Sequence, residues 1–195
     1  MLGGEPGTGK STLALQWALS FESCLYLAAE ESAEQVRDRA SRVGDRLLDT
    51  VEVVDAMGGT SIDSALAGEP TAFVILDSLP GLVGVGPASD QDALAVLKVL
   101  KTHASRYRSC VLVVDHATKA DDFAGRLSLQ HEVDTTIVVH EGVPDRWDDQ
   151  KSPSTSTRTL RTRKNRSGPP RTEVGELGHQ GFVARERRSE CHKVA

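Results

Sequence analysis

The chain has 195 residues, a formal net charge of −5, 38% hydrophobic and 26% charged residues. That is enough for one domain with a substantial buried core, and the acidic balance excludes a generally basic nucleic-acid coat while leaving local basic patches open. No apolar run approaches the roughly 18 residues needed to cross a membrane. Cys24, Cys110 and Cys191 are too scattered for a disulfide framework or a paired-cysteine zinc site, so no zinc is expected and a reducing cytoplasm fits best.

Only Met1 and Leu2 precede the first glycines, so the first strand is expected to be cut short, as in a fragment or a chain started late. Lys10 to Ser20 carries a helical pattern. Cys24 to Ala29 is a short apolar run and reads as a strand; Ala33 to Val43 is helical with one charged face. Val51 to Val54 reads as a strand and Ser61 to Ala67 as a short helix. Ala72 to Leu76 is continuously apolar and ends in Asp77, the pattern of a strand buried on both faces. Ser89 to Tyr107 is the longest helix, with Leu94, Leu97 and Leu100 at helical spacing. Cys110 to Val114 and Thr135 to Val139 read as further strands, and Cys24 and Cys110 as small core residues in their apolar runs.

Beyond Val139 the texture changes. Glu141 to Ser156 is rich in Asp, Pro and Ser and reads as an exposed loop. Arg158 to Arg171 carries six basic residues and no acid, and Thr157 to Arg163 alternates as a strand near the sheet edge would. Residues 1–184 form one expected core, and the charged tail 185–195 is expected to be disordered. Aromatics make up 4% of the chain, so the core is built mainly from Val, Leu, Ile and Ala. Alternating strands and helices predict an α/β fold, a mostly parallel twisted sheet with helices on both faces. Ligands of such folds sit at the carboxyl ends of the strands, where Glu30, Asp77 and His116 fall.

The segment Gly4-Glu5-Pro6-Gly7-Thr8-Gly9-Lys10-Ser11-Thr12 has the full GxxxxGK[ST] pattern and opens a helix. Its glycines let the backbone turn N–H groups onto an anion, and the helix adds its positive dipole end. Lys10 is placed to reach the β- and γ-phosphates of ATP, and Ser11 to offer a hydroxyl to Mg²⁺. Asp77, closing a buried strand, is the second expected metal ligand. Glu30 is the candidate base for an attacking water. Its bland alternative, shared with Glu31 and Ser32, is capping of the following helix. His116 is a candidate sensor of the γ-phosphate or a histidine satisfied by a loop carbonyl. Thr118, Lys119 and the loop to Arg126 follow it.

These motifs come in one order: the glycine loop, Glu30-Glu31-Ser32, Gln35-Val36 with Arg39-Ala40, Leu76-Asp77-Ser78, His116-Ala117-Thr118-Lys119, Ala124-Gly125, Leu129-Gln130-His131 with Asp134, and Lys164-Asn165-Arg166 before Gly168. The set resembles the RecA-type ATPase core of the bacterial RadA (Sms) family, from residue 2 to roughly residue 183. The resemblance implies a DNA-stimulated ATPase that promotes branch migration in recombinational DNA repair, working as a homo-oligomeric ring on single-stranded or branched DNA. It also implies that Lys164 and Arg166 reach the nucleotide of a neighbouring subunit, as an arginine finger does. The sequence departs from the family in lacking its four-cysteine zinc module and Lon-like domain, in Ser167 at the aromatic position of the KNRFG motif, and in an extra residue between Gly168 and Glu173. A DnaB-type helicase or KaiC-like ATPase is the alternative within the fold. A nucleotide-responsive binding module without useful turnover is the alternative outside enzymes.

Overall fold

The computed structural model describes residues 1–56, 61–84, 89–116, 127–143 and 155–185. Expectations for Thr118, Lys119, Ala124-Gly125, Arg126, most of the 141–156 loop and the tail beyond Arg185 lie outside them.

In chain order the elements are β1 (Leu2–Gly4), α1 (Lys10–Ala18), β2 (Cys24–Ala28), α2 (Ala33–Val43), α3 (Arg46–Thr50), β3 (Val51–Asp55), α4 (Ile62–Ala65), β4 (Phe73–Asp77), α5 (Leu79–Val83), α6 (Ser89–Tyr107), β5 (Cys110–Val113), α7 (Leu127–Glu132), β6 (Thr135–Glu141), β7 (Thr157–Asn165), β8 (Thr172–Gly178) and β9 (Gly181–Ala184). Two ladders form, β3-β2-β4-β5 and β1-β6-β7-β8-β9. They join where Leu2 bridges Val114 in parallel and the Asp115 N–H donates to the Leu2 carbonyl at 2.9 Å. Strands β1 to β6 run parallel, and β7, β8 and β9 continue the sheet antiparallel.

The apolar strands explain themselves by their alternation. Along β2, Leu25 and Leu27 enter one core with Val74, Leu76, Leu97 and Leu100, while Cys24, Tyr26 and Ala28 enter the other with Leu13, Ile75, Val36 and Leu47. A strand with helices on both faces must be apolar at every position. Helix α2 covers its face through Val36, Ala40 and Val43, and starts on a capping box in which Ser32 and Gln35 exchange hydrogen bonds. Helix α6 buries Ala93, Leu97 and Leu100. No helix among the described residues is long and apolar enough to cross a membrane.

Three features differ from expectation. β7 is an interior strand, because β8 and β9 lie outside it. β8 mixes Gly and Glu with single apolar residues, and β9 is only four residues long, so both are too weak to read locally. Cys24 is buried, but Cys110 is exposed because it opens β5 before that strand enters the core. Helix α5 begins at Leu79-Pro80-Gly81, where no element is expected; the Ser78 side chain caps it by accepting from the Gly81 N–H.

β9 is tied to α1 by a single side chain. The Gln16 amide donates to the Phe182 carbonyl at 2.8 Å and accepts from the Phe182 N–H at 2.7 Å. Gln16→Ala removes both bonds, and a local loss of about 1–3 kcal/mol is expected. Hydrogen exchange at the β8–β9 amides should quicken while amides of β2 and β4 stay protected. Equal loss in all four strands would show that β9 is not separately held.

Candidate nucleotide site

The carboxyl ends of the parallel strands gather the polar residues. β1 runs straight into the glycine loop. Within it the Thr8 hydroxyl and N–H both donate to the Glu5 carbonyl, at 2.8 and 3.3 Å. Pro6 and Gly7 form its exposed tip, and Thr12 lies half-buried on the first turn of α1. Gly9 caps α1 at φ +93°, a conformation that leads into the helix from the left-handed region. A Cβ at Gly9 would also stand 2.0 Å from Leu177 Cδ2 of β8. No acid occupies the first turn of α1, so the helix leaves its positive end for an anion.

Lys10 is buried, and its ammonium donates to the carbonyls of Gly4 and Glu5, both at 2.9 Å. Burial lowers its pKa, while the charges of Asp77, Glu30 and Asp115 oppose that shift. Three carboxylates from the ends of three strands thus surround one cation that belongs to the loop.

Asp77 closes β4 with a cis peptide bond to Ser78. The Tyr26 hydroxyl donates to its carboxylate, and Ser11 supplies a second hydrogen bond. Burial, the largest influence, raises the Asp77 pKa above its ordinary 3.8, and these two bonds only partly offset it. The adjacent hydroxyl of Ser11 and carboxylate of Asp77 are hard oxygen donors, the chemistry Mg²⁺ selects, so the expected metal ligands fit that ion.

Glu30 follows β2. Its Oε1 accepts from the Ser78 hydroxyl and lies 3.1 Å from His116 Nε2. Burial alone would raise the Glu30 pKa. The hydrogen bonds from Ser78 and His116, with the charges of His116 and Lys10, bring it below its ordinary value. The end of α5 packs directly on this group, since a Cβ at Gly81 would sit 2.5 Å from Glu30 Cγ. Glu31 is turned away into a bidentate pair with Arg39, at 2.5 and 2.7 Å, and Ser32 caps α2. Of the capping alternatives, Ser32 takes the cap and Glu31 the ion pair, while Glu30 faces Ser78 and His116.

Lys164 and Arg166 sit elsewhere. The Lys164 ammonium donates to the carbonyls of Gln130, His131 and Val133, at 2.6, 3.3 and 2.7 Å. Arg166 pairs with Asp134 at 2.9 Å and donates to the His131 carbonyl at 3.0 Å. Both cations hold the carboxyl end of α7, where a helix favours positive charge. The structure therefore brings Lys10, Ser11, Asp77, Glu30 and His116 together but not Lys164 and Arg166.

Sequence reasoning missed Tyr26, Ser78, Arg158 and Leu177. Tyr26 carried a signal: a tyrosine within a strand buried on both faces needs a partner for its hydroxyl. Arg158 is buried, and its Nε donates to the Thr8 carbonyl at 3.1 Å, a contact no local pattern announces.

Asp77 gives a prediction with a definite sign. Its folded pKa lies above the unfolded value, so the unfolded state binds fewer protons between the two. Stability then falls as pH rises from about 3.8 through the folded value, and the charge is a cost at neutral pH. Asp77→Asn should raise the melting midpoint of the nucleotide-free protein at pH 7 by about 2–4 °C. That gain should vanish at a pH below both pKa values. A lower midpoint at pH 7 would contradict the assignment of a buried carboxylate only partly compensated by its hydrogen bonds.

Comparison with known proteins bears on the family and the fold. A family model described as AAA domain matches residues 1–122. DNA repair protein RadA of Treponema pallidum is 32% identical over 183 residues, covering 91% of this chain and 37% of its own length. RadA of Synechocystis is 33% identical over 202 residues, covering 90% and 37%. RadA of Helicobacter pylori J99 is 29% identical over 194 residues, covering 94% and 41%. The chain thus spans about two fifths of the length of these curated relatives. Among solved structures, a KaiC-like protein of Pyrococcus horikoshii superposes with a TM-score of 0.69 at 18% identity, covering 95% of this chain and 88% of that one. A DnaB-like replicative helicase gives 0.69 at 15%, covering 93% and 56%. At these identities the superpositions speak for the fold, an α/β RecA-like one. The match over residues 1–122, with the glycine loop and Asp77 both inside it, places the chain in the AAA domain family, as a RadA-like core of the RecA-type ATPases.

Proposed function

We propose that this chain binds ATP with Mg²⁺ and hydrolyses it, as a DNA-stimulated ATPase of recombinational DNA repair that acts in branch migration from a cytoplasmic, ring-shaped homo-oligomer. The observation that carries the reading is the meeting of Lys10, at the start of α1, with Asp77 and Glu30, from the ends of β4 and β2, around one loop. The relatives named as DNA repair proteins support the DNA partner, and the likeness to a DnaB-like replicative helicase supports the assembly.

In this reading the loop N–H groups and the start of α1 bind the phosphates, and Lys10 exchanges its bonds to Gly4 and Glu5 for phosphate oxygens. Ser11 and Asp77 hold Mg²⁺, which when bound neutralises charge on the β- and γ-phosphates. Glu30 is ionised at neutral pH, since its pKa is lowered, and orients a water toward the γ-phosphorus while taking up its proton. His116, bonded to Glu30, senses the γ-phosphate through that carboxylate. Lys164 and Arg166 leave the end of α7 and complete the site of a neighbouring subunit.

Lys10→Ala should weaken nucleotide binding and lower phosphate release by about 10²-fold or more. Ordinary turnover in this variant would displace the site. Single-stranded DNA should stimulate phosphate release by the unmodified protein. For the finger, Arg166→Ala mixed with Glu30→Gln should recover activity at some ratios, because each subunit supplies what the other lacks; failure at every ratio counts against a role in trans.

One observation favours a second reading. Lys164 and Arg166 are both engaged within their own subunit, as suits a nucleotide-responsive binding module without useful turnover. ATP binding without phosphate release, with or without DNA, would select that reading.

A further inference from the structure

Arg158 is the second residue of β7 and lies 150 positions from the glycine loop it touches. Its guanidinium is buried and is met largely by main-chain carbonyls: Nε donates to Thr8 at 3.1 Å, and Nη1 to Thr155 and Thr157 at 2.7 and 2.9 Å. Nη2 lies 3.3 Å from the Glu141 carboxylate, whose side chain is 63% exposed. A buried guanidinium is costly unless its donors are used. Here one of them is used on the peptide between Thr8 and Gly9.

That peptide matters to an anion. In a planar trans peptide the carbonyl and N–H point in opposite directions. A Thr8 carbonyl held on Arg158 therefore turns the Gly9 N–H away from β7. Leu177 closes the same side against Gly9, so the loop is fixed by one polar and one apolar contact from neighbouring strands. Residues outside the loop thus add to the bonds that Thr8 and Lys10 make within it.

We propose that Arg158 is a positioning residue for the glycine loop: it presets the Thr8–Gly9 peptide for the polyphosphate of the nucleotide, without touching the nucleotide itself. The inference rests on the nucleotide-site reading above. Preorganisation of this kind lowers the ordering cost of binding. It should act only on ligands that engage the loop, which means di- and triphosphates rather than a nucleoside monophosphate.

The test measures binding of ATP, ADP and AMP by calorimetry to the unmodified chain, Lys10→Ala, Arg158→Met and Arg158→Lys. Loss of one charged hydrogen bond corresponds to about tenfold, so Arg158→Met should bind ATP and ADP about tenfold more weakly with AMP unchanged. Arg158→Lys keeps the charge but not the fork, and should lie between. A loss shared equally by AMP, or unaltered ATP affinity in a folded Arg158→Met, overturns the proposal. Should Arg158→Met not fold, Arg158→Lys decides, with ATP affinity equal to the unmodified chain as the overturning result. If the unmodified chain binds no ATP, the site itself is misassigned; if it binds and Lys10→Ala does not, a null result at Arg158 removes this inference alone.

Discussion

Leu2 has no exposed surface, and the two ladders of the sheet meet at it. On one side β1 pairs with β6 from Leu2↔Ile137 to Gly4↔Val139; on the other, Leu2 bridges Val114 and accepts from Asp115. Three residues and the Met1 that precedes them thus carry the hydrogen bonds of a central strand, and the glycine loop is their direct continuation. The position of the loop relative to Asp77 and Glu30 is set by this splice, because those residues belong to β4 and β2 of the other ladder. Everything the site can do depends on the two halves staying in register through β1.

The second constraint is charge. Lys10, Asp77 and Asp115 are all buried, and Glu30 stands at their edge. Burial lowers the pKa of Lys10 and raises that of Asp77, so each charged form is disfavoured on its own. Mutual attraction, and hydrogen bonds from Tyr26 and Ser11 to Asp77, offset that cost only in part. A core filled by apolar residues of the same volume would be more stable. The arrangement is intelligible as a site that a polyanion and a divalent cation complete.

What could be read in the chain, and what could not, follows from the range of the forces. The glycine loop, β2, α2, β4 and α6 are specified by local patterns, and the structure has them within a residue or two. The placement of Glu30 and Asp77 side by side follows from parallel β2 and β4. The Tyr26–Asp77 bond needs the register as well: Tyr26 opposes Ile75, so Asp77 is its diagonal neighbour on the same face. No local pattern contains that offset. β8 and β9 are weaker still in sequence, since they owe their place to Gln16 and to pairing with β7. The same holds for Arg158, which appeared as one member of a basic run and proves to be buried. Arg166, from the same run, is exposed and paired with Asp134.

β7 joins these observations. Near its start Arg158 holds the glycine loop of its own subunit, and at its end Lys164, with Arg166 just beyond, holds the carboxyl end of α7. β8 pairs with β7 from Thr157 to Arg161, and the β6 ladder is irregular between Thr162 and Lys164, so the two ends of β7 are held by different neighbours. Freeing two cations from helix carbonyls requires partners of at least equal strength. The carboxyl end of α7 therefore competes with any anion for the same basic pair.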